Sequence, residues 1–135
     1  MRSPPKTPTR KPSGAGRAAA KSGSRSFVPD VGDLIWLDFD PKAGHEQAGR
    51  RPAVVLSPAG YNAKTGLAVV CPITSQQKNY PFEVALPAGL AIRGVILADH
   101  VKNLDWRVRH AAASCKAPSS VLAELRAKLA PLLGF

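Results

Sequence analysis

Apolar residues in this chain do not run far before glycine, proline or asparagine interrupts them, and that interruption limits the fold more than any other feature. Stretches 33–39, 51–57, 66–73, 82–86 and 93–98 are short, rich in Val, Ile and Leu, and bounded by turn residues. Runs of that length suit strands, whereas an amphipathic helix needs about ten residues or more. Residues 58–64 read as a turn and 99–103 as a connector, and 106–110 reads as a sixth, edge-like segment with Arg107 and Arg109 alternating against Trp106, Val108 and His110. Only 118–133 has a helical period: Val121, Leu122, Leu125, Leu129, Leu132 and Leu133 share one stripe, with Glu124, Arg126 and Lys128 outside it and Gly134 ending it. Short strands, tight turns and one closing helix describe a mainly β protein with α, a small curved antiparallel sheet or barrel.

The polar residues gather in the connections. Residues 44–57, GHEQAGRRPAVVLS, set His45, Glu46, Gln47, Arg50 and Arg51 directly before an apolar strand, with Pro52 at its first positions where no ladder donor is needed. A guanidinium fixed at a strand entrance suits phosphate, because its planar fork matches two oxygens at once; a solvated charge before a strand is the plain alternative. In 33–39, Ile35, Leu37 and Phe39 alternate with Trp36 and Asp38, so the last two share the outer face. There Trp36 either caps the core edge or stacks on a base, and Asp38 is placed to accept from a base amino group. Tyr61 and Asn62 sit in the expected turn, as base-contacting groups or as ordinary turn residues. Strand 66–73 delivers Thr74 and Ser75 to a second polar loop, 75–81, which carries Gln76, Gln77, Lys78 and Tyr80, with Glu83 on the short strand after it.

Charge divides the chain in two. The net charge is +10, but residues 1–26 hold seven Lys/Arg and no acid, leaving twelve basic and nine acidic groups over 27–135. The first segment, rich in Pro, Ser, Gly and Ala, lacks the apolar surface to offset its ordering entropy and reads as a disordered basic tail, either a nucleic-acid tether or a solubilising extension. Residues 27–135 read as one domain. Cys71 and Cys115 form no CxxC pair and have no neighbouring His cluster, so neither a zinc site nor a disulfide framework is expected, no cofactor is implied, and a reducing cytoplasm is the default. No apolar stretch approaches a membrane span.

Five motifs, VPDVGDLIWLDFDP, EQAGRRPAVVLS, YNAKTG, PITSQQKNYPFEV and LADHVKNLDWR, resemble the MazF toxins of type II toxin–antitoxin systems, also called the PemK family, and the likeness runs over 28–135. The resemblance implies an SH3-like barrel of the MazF/PemK/CcdB type, with a curved antiparallel sheet and a C-terminal helix. It implies a homodimer that cuts single-stranded RNA at short words in mRNA without metal, inhibits translation, and is silenced by a MazE-like antitoxin with an acidic tail. Carried onto this chain, the family's catalytic arginine falls on Arg51, its threonine on Thr74 and its loop carboxylate on Glu46. RNA-contacting positions fall on Trp36, Asp38, Gln47, Asn62, Gln76, Lys78 and, more loosely, Glu83. Where close relatives can carry His before the arginine, this chain has Arg50, which is counted among the expected RNA-binding positions; His45 in the same loop is the candidate substitute as proton acceptor. The chemistry implied is attack of the ribose 2′-OH on the adjacent phosphate, giving a 2′,3′-cyclic phosphate and a 5′-OH end. Two alternatives stand beside it: a CcdB-like toxin that binds a protein target such as DNA gyrase, and an RNA-binding module without catalysis.

Overall fold

The computed structural model describes residues 27–39 and 49–135; the basic segment 1–26 and the loop 40–48, with His45, Glu46 and Gln47, lie outside the described residues. Seven strands form one sheet: β1 (Asp33–Asp38), β2 (Arg50–Val55), β3 (Leu67–Thr74), β4 (Glu83–Ala85), β5 (Val95–Leu97), β6 (Lys102–Asp105) and β7 (Ala112–Lys116). All ladders are antiparallel, in the order β4-β5-β3-β2-β1-β7, with β6 branching from β3. The path has two ends, so the expected curved sheet is open.

β3 is the branch point because it is long enough to serve three partners. Its Leu67–Val70 end pairs with β6, its middle with β2, and Ile73 and Thr74 with β5. That explains its composition: a strand flanked on both edges and covered on both faces has no polar side left. Ala68, Val70, Cys71 and Ile73 are all buried.

Two cores lie on opposite faces of the sheet. One joins Leu34, Val54, Cys71, Ile73, Val84, Ile92 and Ile96 to the C-terminal helix α2 (Ser119–Leu132), through Val121, Leu125 and Leu129. The other gathers Ile35, Leu37, Ala53, Val55, Ala68 and Val70 around Trp106. The alternation in 33–39 is therefore real but incomplete: Ile35 and Leu37 face the second core, while Leu34 is fully buried on the helix side and Trp36 emerges beyond it. Leu132 and Leu133, expected on the buried stripe of α2, are exposed in its last turn.

Three expectations along the chain are corrected. The expected turn 58–64 is not a bare turn: its residues from 59 on lie in helix α1 (Ala59–Thr65), started after Pro58 and ended by Gly66 at φ 75°. Residues 106–110 are not a strand, because the Asp105 carboxylate accepts from the backbone N–H of Arg107 and Val108 and folds the chain into a turn that His110 completes at φ 54°. The strand is instead Lys102–Asp105, half of it inside the expected connector, and β7 was not expected at all. Among the described residues no helix is long and apolar enough to cross a membrane.

Candidate active site

Register, rather than proximity in sequence, brings Arg51 and Thr74 together. Leu37 faces Arg51 across β1 and β2, and Ala53 faces Pro72 across β2 and β3. Two residues beyond that pair on each strand stand Arg51 and Thr74, in a row whose two members line one cavity. The row lies just past the last apolar pair of each strand, so the second core holds its base while Arg51 is exposed and Thr74 half-buried. Thr74 Oγ1 accepts from Gln76 N–H at 3.2 Å, which uses a lone pair and leaves the hydroxyl proton to donate outward.

A cavity of about 510 Å³ opens at these strand ends. It is lined by Trp36, Arg51, Pro52, Ile73, Thr74, Ser75, Gln76, Ala91, Ile92 and Arg93. Of the sequence-expected residues it brings together Arg51, Thr74, Trp36 and Gln76. Trp36, 37% exposed and opposite Pro52, gives the cavity an aromatic wall. Among the described residues the lining holds two guanidinium groups and no carboxylate, and that charge balance favours an anion.

Asp38 and Arg50 serve elsewhere. They face each other across β1 and β2, and Arg50 Nη1 donates to Asp38 Oδ1 at 2.9 Å while Arg50 Nη2 donates to the His110 carbonyl. His110 Nδ1 lies 2.9 Å from the other carboxylate oxygen. These contacts, that of His110 first and then that of Arg50, hold the Asp38 carboxyl below its ordinary range. Next to them Arg109 Nη1 donates to the carbonyls of Asp38 and Phe39, where β1 ends. Arg107 stacks over Trp106 at 4.6 Å and donates to the Ala63 carbonyl. Asp38 is thus paired with a guanidinium and an imidazole, and Arg50 with the root of the loop that carries Glu46 and Gln47.

Two further expected contacts are taken up by the fold. Asn62 is fully buried; its Oδ1 accepts from Ser57 Oγ and its Nδ2 donates to the carbonyls of Pro29 and Ser57. Its own carbonyl takes the N–H of Trp106 at 3.0 Å, so it ties β2, α1 and the second core together and has no surface to offer a base. The Glu83 carboxylate accepts from the backbone N–H groups of Lys78 and Asn79, the latter at φ 63°, and so shapes the loop carrying Lys78 and Gln76. Lys78 is exposed on that loop.

Sequence reading missed Arg93, which it placed at the start of a strand, and the Arg109–His110 pair at the root of the loop. The run Ile92-Arg93-Gly94 carried a signal, an exposed charge between a core residue and a glycine, but its neighbour across the sheet is set by a pairing that the sequence does not reveal.

Comparison with known proteins identifies the family. The family model described as PemK-like, MazF-like toxin of type II toxin-antitoxin system matches residues 30–133. The endoribonuclease toxin MazF of Escherichia coli K12 is 53% identical over 108 residues, covering 80% of this chain and 96% of that protein. The endoribonuclease PemK of Escherichia coli is 35% identical, over 73% of this chain and 78% of its own. The crystal structure of MazF from Deinococcus radiodurans superposes with a TM-score of 0.75 at 61% identity, covering 82% of this chain and 100% of that one. A MazE-MazF complex from the same organism gives 0.74 at 55% identity, over 82% and 99% of the chains. With the family model spanning nearly all of the described domain and these relatives matched over most of their length, the chain belongs to the PemK-like, MazF-like toxins of type II toxin–antitoxin systems.

Proposed function

We propose that this chain is the toxin of a toxin–antitoxin pair, an endoribonuclease that cuts single-stranded RNA at the cavity where Arg51 and Thr74 meet. The observation that carries the reading is that pair, both lining a cavity that holds two guanidinium groups and, among the described residues, no acid. RNA brings its own nucleophile. Attack of the 2′-OH on the neighbouring phosphorus breaks the bond to the next 5′ oxygen and leaves a 2′,3′-cyclic phosphate and a 5′-OH. The protein's task is to hold that geometry in line and to stabilise charge on the phosphoryl oxygens. Arg51 supplies the bidentate cation and Thr74 the outward O–H. The proton of the 2′-OH is assigned to Glu46, on the loop rooted at Asp38 and Arg50, because arginine does not give up its own proton at working pH. Trp36, Gln76, Lys78 and, on the loop, Gln47 are assigned to the bases and sugar around the cut.

The Deinococcus radiodurans relative solved with MazE supports a MazE-like antitoxin as the partner here, and an acidic segment suits the basic cavity. The chain is further read as a homodimer acting in the cytoplasm. The decisive experiment replaces the ribose at the cut site by deoxyribose in a substrate that the purified chain cleaves. Cleavage at that position is expected to vanish; an unchanged rate would remove 2′-OH attack from the mechanism.

A further inference from the structure

We propose that Arg93 is a second phosphate anchor, which holds the RNA linkage next to the one at Arg51 and Thr74. The proposal deepens the nuclease reading and depends on it for the identity of the ligand. Its basis is a second stretch of register. Ile73 pairs with Ile96 and Thr74 with Val95. Beyond that pair Gly94 lies against Ser75, and Arg93 and Gln76, two positions outward from Thr74 and Val95, both line the cavity.

The backbone at this place is fixed. Gly94 has φ 124°, and a Cβ built on it would stand 2.1 Å from the Thr74 carbonyl oxygen and 3.2 Å from Ser75 Cα. Only a glycine lets two chains lie that close. Its carbonyl also accepts from Leu86 N–H at 3.0 Å. On the other side Ile92 is 2% exposed in the first core. Arg93 is held between a buried isoleucine and a glycine pressed on the backbone of Thr74, while its own side chain is exposed into the cavity. Its root is as firmly placed as Thr74 itself.

The charge pattern says what it meets. Arg50, Arg107 and Arg109 are each spent on a protein acceptor. Among the described residues Arg51 and Arg93, the two that line the cavity, have neither an ion pair nor a side-chain hydrogen bond. Each phosphodiester carries one negative charge, so the phosphate under attack balances one guanidinium and leaves the other for its neighbour along the strand. Because Arg93 stands two positions outward from the Thr74 row, it holds ground state and transition state alike. It therefore acts on the RNA concentration needed for half-maximal rate rather than on the maximal rate.

The test uses the full chain and two variants, Arg93→Ala and Arg93→Lys, each checked by its thermal melt. Binding is measured to a random-sequence single-stranded DNA pool, which lacks the 2′-OH, across a salt series, and cleavage is measured on the matching RNA pool. Arg93→Ala is expected to weaken binding about tenfold, the scale of one charge-assisted contact. It should also lower the slope of log affinity against log salt by about 0.7, one single-strand phosphate contact. Half-saturation in cleavage should rise by a similar factor, and Arg93→Lys should keep the slope. Wild-type affinity and slope in Arg93→Ala would overturn the proposal, as would a fall in maximal rate with binding intact. If the wild-type chain binds the pool yet leaves RNA uncut, the nuclease reading fails, while the salt slope still decides the anchor.

Discussion

At the level of single residues, what a side chain does here follows from where its hydrogen bonds already go. Thr74 has an acceptor engaged and a donor free, so Thr74→Ala removes one preorganised donor from the phosphoryl oxygens. The cost expected is about 3 kcal/mol of transition-state stabilisation, roughly a hundredfold in maximal rate, with binding of the deoxy pool nearly unchanged. Asn62 is the opposite case. Asn62→Ala strands buried partners on Ser57 and Pro29 and should destabilise the chain by about 3 kcal/mol in urea titration. RNA affinity of the folded protein should change by less than about twofold, the size of a surface change that touches no contact; a tenfold loss would restore the base-reading role. These two show how much of the site the sequence disclosed. Arg51 and Thr74 were legible as catalytic candidates only through the family resemblance, because position alone left Arg51 equally readable as a solvated charge before a strand and gave Thr74 no role beyond ending one. Asn62 misled because a turn residue and a buried hub look alike until the chain folds over them. Nothing in composition separated Arg50, bound to Asp38, from Arg51, left free one residue later.

Elements reveal a different limit. The strands with strong alternation or continuous apolar runs, β1 to β3, were legible because their burial comes from their own residues. β6 and β7 were not, since each carries exposed residues and exists only because a neighbouring edge, of β3 or β1, is there to pair with. Helix α1 was hidden for a related reason: seven residues hold little helical signal, and it is Asn62 beneath it that anchors it. The closest fit between elements is that of Gly94 on the end of β3. Gly94→Ala combines an unfavourable φ with a backbone collision and is expected to cost about 3 kcal/mol, lowering the melting temperature. Because the displaced atoms belong to Thr74 and Ser75, cleavage by the surviving folded protein should fall as well, measured below the new melting point. Full activity in that folded fraction would mean that the contact holds the fold but not the site.

Taken whole, the described residues set two guanidinium groups without a protein acceptor, Arg51 and Arg93, at one cavity, while Arg50, Arg107 and Arg109 are tied to acceptors of the fold. An acidic segment should therefore compete with RNA for the same groups. A synthetic Asp/Glu-rich peptide is expected to displace the single-stranded pool at low salt and to lose that ability by 0.5 M salt, where the screening length is only about 4 Å. Displacement that ignores salt would point to an apolar contact instead.

The branching of β3 carries a last consequence. One strand supplies the middle of the helix-side core, the bridge to three neighbours and, at its tip, the hydroxyl assigned to the cut. Its amides should be the slowest in the chain to exchange with heavy water, and the machinery they lead into cannot loosen by itself. Attenuating substitutions in such a toxin would then fall into two kinds, those that blunt the cutting groups and those that shorten the lifetime of the folded chain, with little ground between.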